Sequence, residues 1–201
     1  MQPAIKKRAL FYLVISVFAF AISHVVHAEG FKLEPGRFIV ATDRLSNSAF
    51  EQAVIYITQS GEVGTYGLMV NRPTGVALGE VFAEETAQRH HTEQVYYGGP
   101  LHNQYLFSLA QSPYEQGEVL QVDREIMLGA GLDTLTRFSY DSQNTKVKAF
   151  VGFASWTPGQ LQQQIEEGAW IVVPADPEKI FAADGENLWS ELTSRWGGDW
   201  T

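Results

Sequence analysis

The stretch from Gly152 to Trp170 constrains the fold of this chain more than any other, because the pattern of apolar residues changes there from that of a strand to that of a helix. Apolar residues alternate up to this point among residues of high β-propensity, which predicts a strand over Lys146–Phe153. Leu161 and Ile165 then follow at helical spacing, and the polar run Gln162–Gln164 is predicted to face water. A strand therefore leads almost directly into a short helix.

The start of this helix carries a recognisable pair of signals. Thr157 is predicted to be the N-cap, with Pro158 at the first helical position and Gln160 completing the T-x-x-Q pattern of a capping box. Trp156 and Leu161 occupy the two positions of a hydrophobic staple. Capping and stapling explain these side chains without a ligand, so we favour them over a ligand platform at the helix entrance.

The remainder of the chain predicts short strands and helices in mixed order. Gly168 is predicted to end the helix, and Trp170–Val173 to form the next strand. Val54–Thr58 and Thr65–Val70 flank a turn with two glycines, which predicts a hairpin. The other predicted strands are Arg37–Ala41, Gln94–Tyr97 and a pair made by Tyr105–Ala110 with Glu118–Val122, and the other predicted helices are Leu78–Ala87, Leu132–Phe138 and Asn187–Arg195. Residues 29–201 are thus predicted to be one α+β domain.

Residues 1–28 have the pattern of a targeting segment. Lys6–Arg8 form a basic start, Ala9–Ile22 is apolar except for Ser16, and Val26-His27-Ala28 offers a cleavage site. The apolar run falls short of the roughly 20 residues that a membrane helix needs, so we predict a signal peptide cleaved after Ala28. The protein is then expected to be exported, to the periplasm. The alternative is an uncleaved N-terminal membrane anchor made by residues 9–26.

The charge and the cysteine content exclude several function classes. The chain has 14 Lys and Arg against 23 Asp and Glu, a formal net charge of −9. Three of the basic residues lie in the leader, so residues 29–201 have 11 against 23, or −12. A surface this acidic repels phosphate backbones, and no nucleic-acid partner is expected. With no cysteine, thiol nucleophiles, iron–sulfur clusters and cysteine zinc sites are excluded.

Four separated segments resemble the YqgE/AlgH family in sequence and in order. They are Gly36–Ala41, Gly67–Pro73, Tyr97–Pro100 and Gly152–Trp170. The resemblance covers about residues 34–196. It implies a single α+β domain with a coiled, partly barrel-like mixed sheet flanked by short helices. It implies no settled biochemical function, although some members of the family carry a transcriptional-regulator label.

The chain also departs from the pattern of the family it resembles. Relatives tend to have Asp-Pro where this chain has Asn47-Ser48, Ser where it has Ala53, Leu-His where it has Ala110, Gly where it has Ser155 and Glu where it has Gln164. Relatives also generally lack a leader. The chain is therefore identified as a divergent, exported member.

Four of the five candidate binding residues lie in two of the four segments, and the fifth is His102, just after the GGP turn. Asn71 and Arg72 end a predicted strand, where an Arg side chain can bind a carboxylate or a phosphate in a forked geometry, or instead satisfy carbonyls within the fold. Gly98 and Gly99 follow another strand, as a phosphate loop would, but Pro100 lacks the N–H that such a loop needs. A tight turn is the better interpretation of that segment.

The histidines offer one candidate general base and no metal site. His102 follows the GGP turn, yet the spacing of the sequence ties no serine or carboxylate to it. His90 and His91 are adjacent and would point in different directions, which favours loop histidines over metal ligands. No metal and no cofactor is predicted.

Two classes of function remain open. The favoured one is a non-catalytic binding or interaction domain with an unidentified protein or small-molecule partner, because no acid–base constellation is evident. The alternative is a hydrolase-like enzyme using Arg72 and His102 near the GGP turn, which requires the two side chains to lie within hydrogen-bond reach in an open cleft. The regulator label would be a third class, and the acidic charge opposes it.

Overall fold

Ten strands form one curled sheet in the computed structural model, which describes residues 33–81, 94–112, 119–139, 145–182 and 185–196. The strands are β1 (Arg37–Ala41), β2 (Val54–Gly61), β3 (Gly64–Met69), β4 (Pro73–Ala77), β5 (Gln94–Tyr97), β6 (Leu101–Gln111), β7 (Leu120–Gln121), β8 (Ile126–Ala130), β9 (Lys146–Trp156) and β10 (Trp170–Pro174). The helices are α1 (Leu78–Val81), α2 (Gly131–Ser139), α3 (Gln160–Glu166), α4 (Pro177–Phe181) and α5 (Leu188–Trp196).

The sheet is mixed, as expected from the family resemblance, because it contains both antiparallel and parallel pairings. The main path runs β10-β1-β2-β3-β9-β6-β8-β7, and its neighbouring strands pair in antiparallel fashion. The exception lies off this path, where β5 pairs with β9 in parallel and with β4 in antiparallel fashion. The single-domain α+β fold with a coiled sheet and short helices is therefore confirmed.

Both faces of the central strands are buried, which explains their nearly continuous apolar sequences. In β1, Phe38 and Val40 belong to a first core cluster, whereas Ile39 and Ala41 belong to a second one. The first cluster includes Ile180 of α4 and Leu188 and Leu192 of α5, and the second includes Leu161 of α3. The sheet thus packs the C-terminal helices on one face and α3 on the other.

The predicted pairing of Tyr105–Ala110 with Glu118–Val122 is wrong. Strand β8, which the sequence analysis missed, pairs with both β6 and β7 and lies between them. The Asp123 carboxylate accepts the backbone N–H groups of Glu125 and Ile126 at 2.8 and 2.9 Å. This turn folds β8 back along β7, so that β8 occupies the place beside β6.

Most other local predictions are confirmed, with shifted ends. The bounds of β1 and β5 agree with the prediction, and β2 and β3 form the predicted hairpin. Strands β4 and β8 and helix α4 were not predicted. Of the predicted helix Leu78–Ala87, residues up to Val81 are helical, and the rest lies outside the described residues together with His90 and His91.

The predicted capping box at Thr157 is only half formed. Gln160 accepts the Thr157 N–H at 3.0 Å through its side-chain oxygen, as expected. However, the N–H of Gln160 donates to the Thr157 carbonyl, and the Thr157 hydroxyl donates to Gln160 rather than capping the helix. Helix α3 begins at Gln160 because Gly159 takes a left-handed conformation, with φ 79°, just before it. The N-cap is therefore Gly159, without a side-chain cap.

The prediction that Gln164 faces water is wrong. Its side-chain oxygen accepts the indole N–H groups of Trp156 and Trp170 at 3.0 and 2.9 Å. The two indoles are 4 % and 2 % exposed and meet edge to face, and Phe50 packs against both. Gln164 therefore satisfies both indole donors within the second core cluster, whose members include both tryptophans.

In the part of the chain that the structure describes, no helix has the length and apolar content needed to span a membrane. The predicted leader, residues 1–28, lies outside that part.

Candidate functional site

Backbone hydrogen bonds join two of the family-like segments to each other and to Val151, the residue before a third. The Met69 N–H donates to the Gly98 carbonyl, and the Tyr97 N–H to the Arg72 carbonyl, both at 2.8 Å. The Gly98 N–H donates to the Val151 carbonyl, also at 2.8 Å. These bonds bring the segment of Asn71 and Arg72 beside that of Gly98 and Gly99, and the pairing of β6 with β9 places His102 opposite Gly152.

The glycines at this crossing allow main chains to touch. A Cβ atom at Gly98 would lie 2.3 Å from the Gly152 carbonyl oxygen, and one at Gly99 would lie 2.3 Å from the Phe153 carbonyl carbon. Gly152 has φ 71°, and a Cβ there would lie 2.4 Å from the Gly99 oxygen. The Gly98 N–H donates to Val151, so the GGP segment is used for packing between strands. The close approach of the main chains explains why glycine is needed at positions 98 and 99.

A large bulge in β6 lies directly over Gly152. Leu101 is opposite Phe153 and Leu106 is opposite Val151, so His102–Tyr105 of β6 face Gly152 alone. A Cβ atom at Gly152 would lie 3.3 Å from the Asn103 Cα. We call His102–Tyr105 the arch; its four residues are all exposed. Bulges of this kind re-aim side chains and are common beside functional sites.

Aromatic rings surround the arch. The His102 ring stacks on Phe153 with centroids 5.5 Å apart and lies 5.6 Å from the Tyr105 ring. Phe153 also contacts Tyr66 and Phe107, with centroid distances of 6.0 and 5.6 Å. We call Tyr66, His102, Tyr105, Phe107 and Phe153 the aromatic cluster. Tyr105 is 56 % exposed and the neighbouring Leu101 is 40 % exposed, so the cluster reaches the surface.

His102 has a strained backbone conformation. Its φ is 52°, in the left-handed region that few non-glycine residues adopt. Such strain persists only where the surrounding structure fixes it, and it is concentrated at functional sites. Here the stack on Phe153 and the crossing below hold the residue in place. The arch is therefore an exposed element on a well-defined base.

Asn71 holds the turn that precedes β2. Its side-chain oxygen accepts the Val54 N–H at 2.8 Å, and its side-chain nitrogen donates to the Gln52 carbonyl at 2.9 Å. Asn71 is 8 % exposed, and Gln52 has a left-handed φ of 53°. The amide group thus satisfies buried backbone groups around a strained turn.

Arg72 binds the same turn from the other side. Its two terminal nitrogens donate to the carbonyl oxygens of Ala49 and Glu51 at 2.8 and 2.6 Å. Its side-chain contacts therefore belong to the turn, whereas those of His102 belong to Phe153 and Tyr105. The hydrolase hypothesis requires the side chains of Arg72 and His102 to act on one substrate. Each of them instead contacts a different set of neighbours.

Lys148 is a buried charge that the sequence analysis missed. It is 6 % exposed, and its ammonium donates to the carbonyl oxygens of Val70 and Ile180 at 3.0 and 2.9 Å. The ammonium also lies 3.7 Å from the centre of the Tyr96 ring. Side chains alternate between the two faces of a strand, so Lys148 lies on the same face as Phe150. This alternation could have predicted the burial of Lys148. Lys148 ties α4 to the segment that contains Asn71.

The pairing of a buried tyrosine with a half-buried aspartate was also not predicted. The Tyr56 hydroxyl donates to the Asp123 carboxylate, and the Tyr56 side chain is fully buried. Burial first, then the hydrogen bond to Asp123 and the charges of Asp123 and Glu125, raise the pKa of Tyr56 well above its ordinary value. Tyr56 is therefore a permanent donor at neutral pH. The pair anchors the β7–β8 turn to the first core cluster.

Among the residues that the structure describes, no group of three or more His, Asp or Glu side chains is placed to hold a metal ion.

Comparison with known proteins places the chain in a family. A family model described as DUF179, AlgH-like, matches residues 38–201. A UPF0301 protein of Thermobifida fusca is 32 % identical, with 82 % of this chain and 87 % of that protein covered. A UPF0301 protein of Shewanella loihica is 29 % identical over 80 % of this chain and 90 % of its own length.

Solved structures agree with this assignment. The solution structure of the AlgH protein from Pseudomonas aeruginosa matches with a TM-score of 0.67 and 27 % identity, covering 82 % of this chain and 89 % of that chain. A crystal structure of a protein from Corynebacterium diphtheriae matches with a TM-score of 0.66 at 24 % identity, covering 82 % and 87 %, and supports the fold alone. The chain belongs to the AlgH-like family of uncharacterised UPF0301 proteins.

Proposed function

We propose that this protein is a non-catalytic interaction domain, and that the arch His102–Tyr105 with its aromatic cluster is the contact surface. The observation that carries the proposal is the combination of a bulge, a strained His102 and an exposed Tyr105 at one place. Bulges and strained residues cost free energy, and they occur most often where they position side chains for a function.

The composition of the arch suits a protein contact. Tyrosine provides a large, rigid surface with one polar end, and asparagine and glutamine provide adaptable donors and acceptors. Tyr105, Asn103 and Gln104 supply these groups, and Leu101 adds an exposed apolar side chain beside them. Aromatic residues are enriched in the centres of interfaces. This mixture supports binding by contact area and hydrogen bonds.

The hydrolase hypothesis receives less support. A general base must lie within hydrogen-bond reach of the proton that it removes, with a second group to stabilise charge. His102 stacks on Phe153, and Arg72 donates to the carbonyls of Ala49 and Glu51. Both candidate residues thus have contacts that explain their positions without a reaction.

Site-specific photo-crosslinking tests the interaction. A photoreactive phenylalanine analogue is placed at Tyr105, or at Val63, which is 69 % exposed on the β2–β3 turn, in the full chain expressed in its own host. We expect a defined covalent adduct from position 105 and none of the same mass from position 63. The same adducts from both positions, or none from position 105, would contradict the proposal.

We also propose that the protein is exported with residues 1–28 as its signal. A basic start, a short apolar run and a small residue at position 28 support this. Fractionation followed by N-terminal sequencing is expected to find mature protein that begins at Glu29 outside the cytoplasm. A full-length cytoplasmic product would overturn the claim.

A further inference from the structure

The aromatic cluster includes side chains that are exposed to solvent. Tyr105 is 56 % exposed, His102 is exposed and Phe153 is half-buried. The rings of His102 and Phe153 are nearly parallel, with 13° between their planes. A planar group can therefore extend this stack from the exposed side. Among protein side chains the arginine guanidinium is a planar cation that stacks on aromatic faces.

The net charge of the chain favours a cationic partner over an anionic one. The net charge is −9 for the full chain and −12 without the three basic residues of the leader. A field of this sign attracts cations and repels phosphate groups. The negative net charge therefore argues against a nucleotide or a phosphopeptide, although a nucleotide base or a peptide side chain could also pack on an aromatic surface. The net charge therefore favours a basic segment as the partner.

The arch also offers acceptors for a guanidinium. Asn103 and Gln104 are exposed, and each side chain carries an amide oxygen with two lone pairs. Arginine has five N–H donors in one plane, so it can stack on a ring and donate to a neighbouring oxygen at the same time. A lysine ammonium has the charge without the plane. The arrangement thus discriminates in favour of arginine.

We propose that the aromatic cluster and the arch bind an arginine side chain in a basic peptide segment of the partner protein. This inference rests on the proposed interaction function and names the chemistry of the partner. The guanidinium stacks on the exposed rings of Tyr105 and His102, and the arch amides accept its N–H groups.

Titration with short peptides tests this inference. The probe is acetyl-Gly-Arg-Gly-Arg-Gly-amide, and the matched peptide replaces both arginines by citrulline, which keeps the shape and removes the charge. Binding is followed by NMR on isotope-labelled protein. We expect the arginine peptide to shift the signals of the arch, and added salt to weaken binding because screening reduces the attraction.

Two variants locate the contact. Tyr105→Ala is expected to weaken binding by about 2- to 30-fold, the range that one cation–π contact supplies. Tyr105→Phe keeps the ring and should bind like the parent, as should Val63→Ala on the β2–β3 turn, which belongs to neither the arch nor the aromatic cluster. Since Tyr105 is largely exposed, all three variants should retain the parent spectrum elsewhere.

The outcomes separate the two proposals. Equal binding of the citrulline peptide, unchanged affinity in Tyr105→Ala, or no shift at all overturns the arginine inference. If the peptide fails while the crosslink from position 105 persists, the contact surface stands and only the chemistry of the partner is wrong. If both fail, the proposed interaction function is wrong as well.

Discussion

Gln164 is the side chain whose replacement tests the packing of this fold most directly. One oxygen of Gln164 accepts the indole N–H groups of both Trp156 and Trp170. The indoles are 4 % and 2 % exposed, so water has little access to replace the lost acceptor. Gln164→Leu keeps a similar volume and removes the acceptor. It should therefore leave two buried donors without a partner.

The expected loss of stability follows from the cost of an orphaned donor. A buried polar group that loses its partner costs about 1–3 kcal/mol. Two indole N–H groups share the lost oxygen, and the leucine gains some apolar contact, so we expect Gln164→Leu to lower the free energy of unfolding by about 2–4 kcal/mol. Gln164→Glu keeps an oxygen at the same place and should retain more stability.

Gln163→Leu is a matched control, since it makes the same change one residue earlier in α3. Gln163 is exposed, and its amide donates to Glu167 on the surface at 2.8 Å. We expect a change below about 0.5 kcal/mol for this variant. Urea unfolding followed by tryptophan fluorescence measures the stability of both variants, and the midpoints can be compared if the dependence of the free energy on urea concentration is unchanged. Midpoints that agree for the two variants would refute the assigned role of Gln164.

Four further changes test other parts of the structure. Gly152→Ala should destabilise the fold by at least about 2 kcal/mol more than Gly159→Ala, because both have a left-handed φ and only Gly152 would place its Cβ against another backbone; urea midpoints compare them. Lys148→Met should cost about 1.5–3 kcal/mol, since buried carbonyls lose a charged donor, and thermal unfolding at constant pH measures it. Thr157→Ala should change the unfolding free energy by less than about 0.5 kcal/mol because the hydroxyl does not cap α3, and a loss above about 1 kcal/mol would restore the capping interpretation. Because the pKa of Tyr56 is raised in the folded state, its protonated hydroxyl contributes stability that is fully present below pH 10.0 and is progressively lost as the pH rises above that value. Tyr56→Phe removes this group, so the free energy of unfolding should fall less steeply at alkaline pH. Urea curves measured over a series of pH values test this.

Local sequence patterns determined much of the secondary structure. The runs Arg37–Ala41 and Gln94–Tyr97 are rich in strong β-formers, and their bounds were predicted correctly. Gly168, with φ 74°, follows α3 as predicted, because a left-handed residue at a helix end favours glycine. These features depend on residues close together in the chain, and the sequence contains that information directly.

Some residues of the candidate site were selected from the sequence, and their role in binding stays a prediction. The GGP segment and His102 were selected from the sequence, and the structure places them at the crossing with Gly152. The reason for the glycines was not predictable, because it lies in contacts between residues far apart in the chain. The arch itself depends on the register of β6 against β9, which no local pattern specifies.

The resemblance of four segments indicated the family, and local residue patterns predicted the bounds of β1 and β5 and the turn at the GGP segment. Only the tertiary structure decided that Gln164 serves two indoles, that Lys148 is buried among carbonyls and that β8 separates β6 from β7. A sequence pattern predicts that a polar side chain is exposed, because the buried groups that it will bind cannot be identified from its neighbours in the chain. Those partners are brought together by strand pairing and packing across the whole chain.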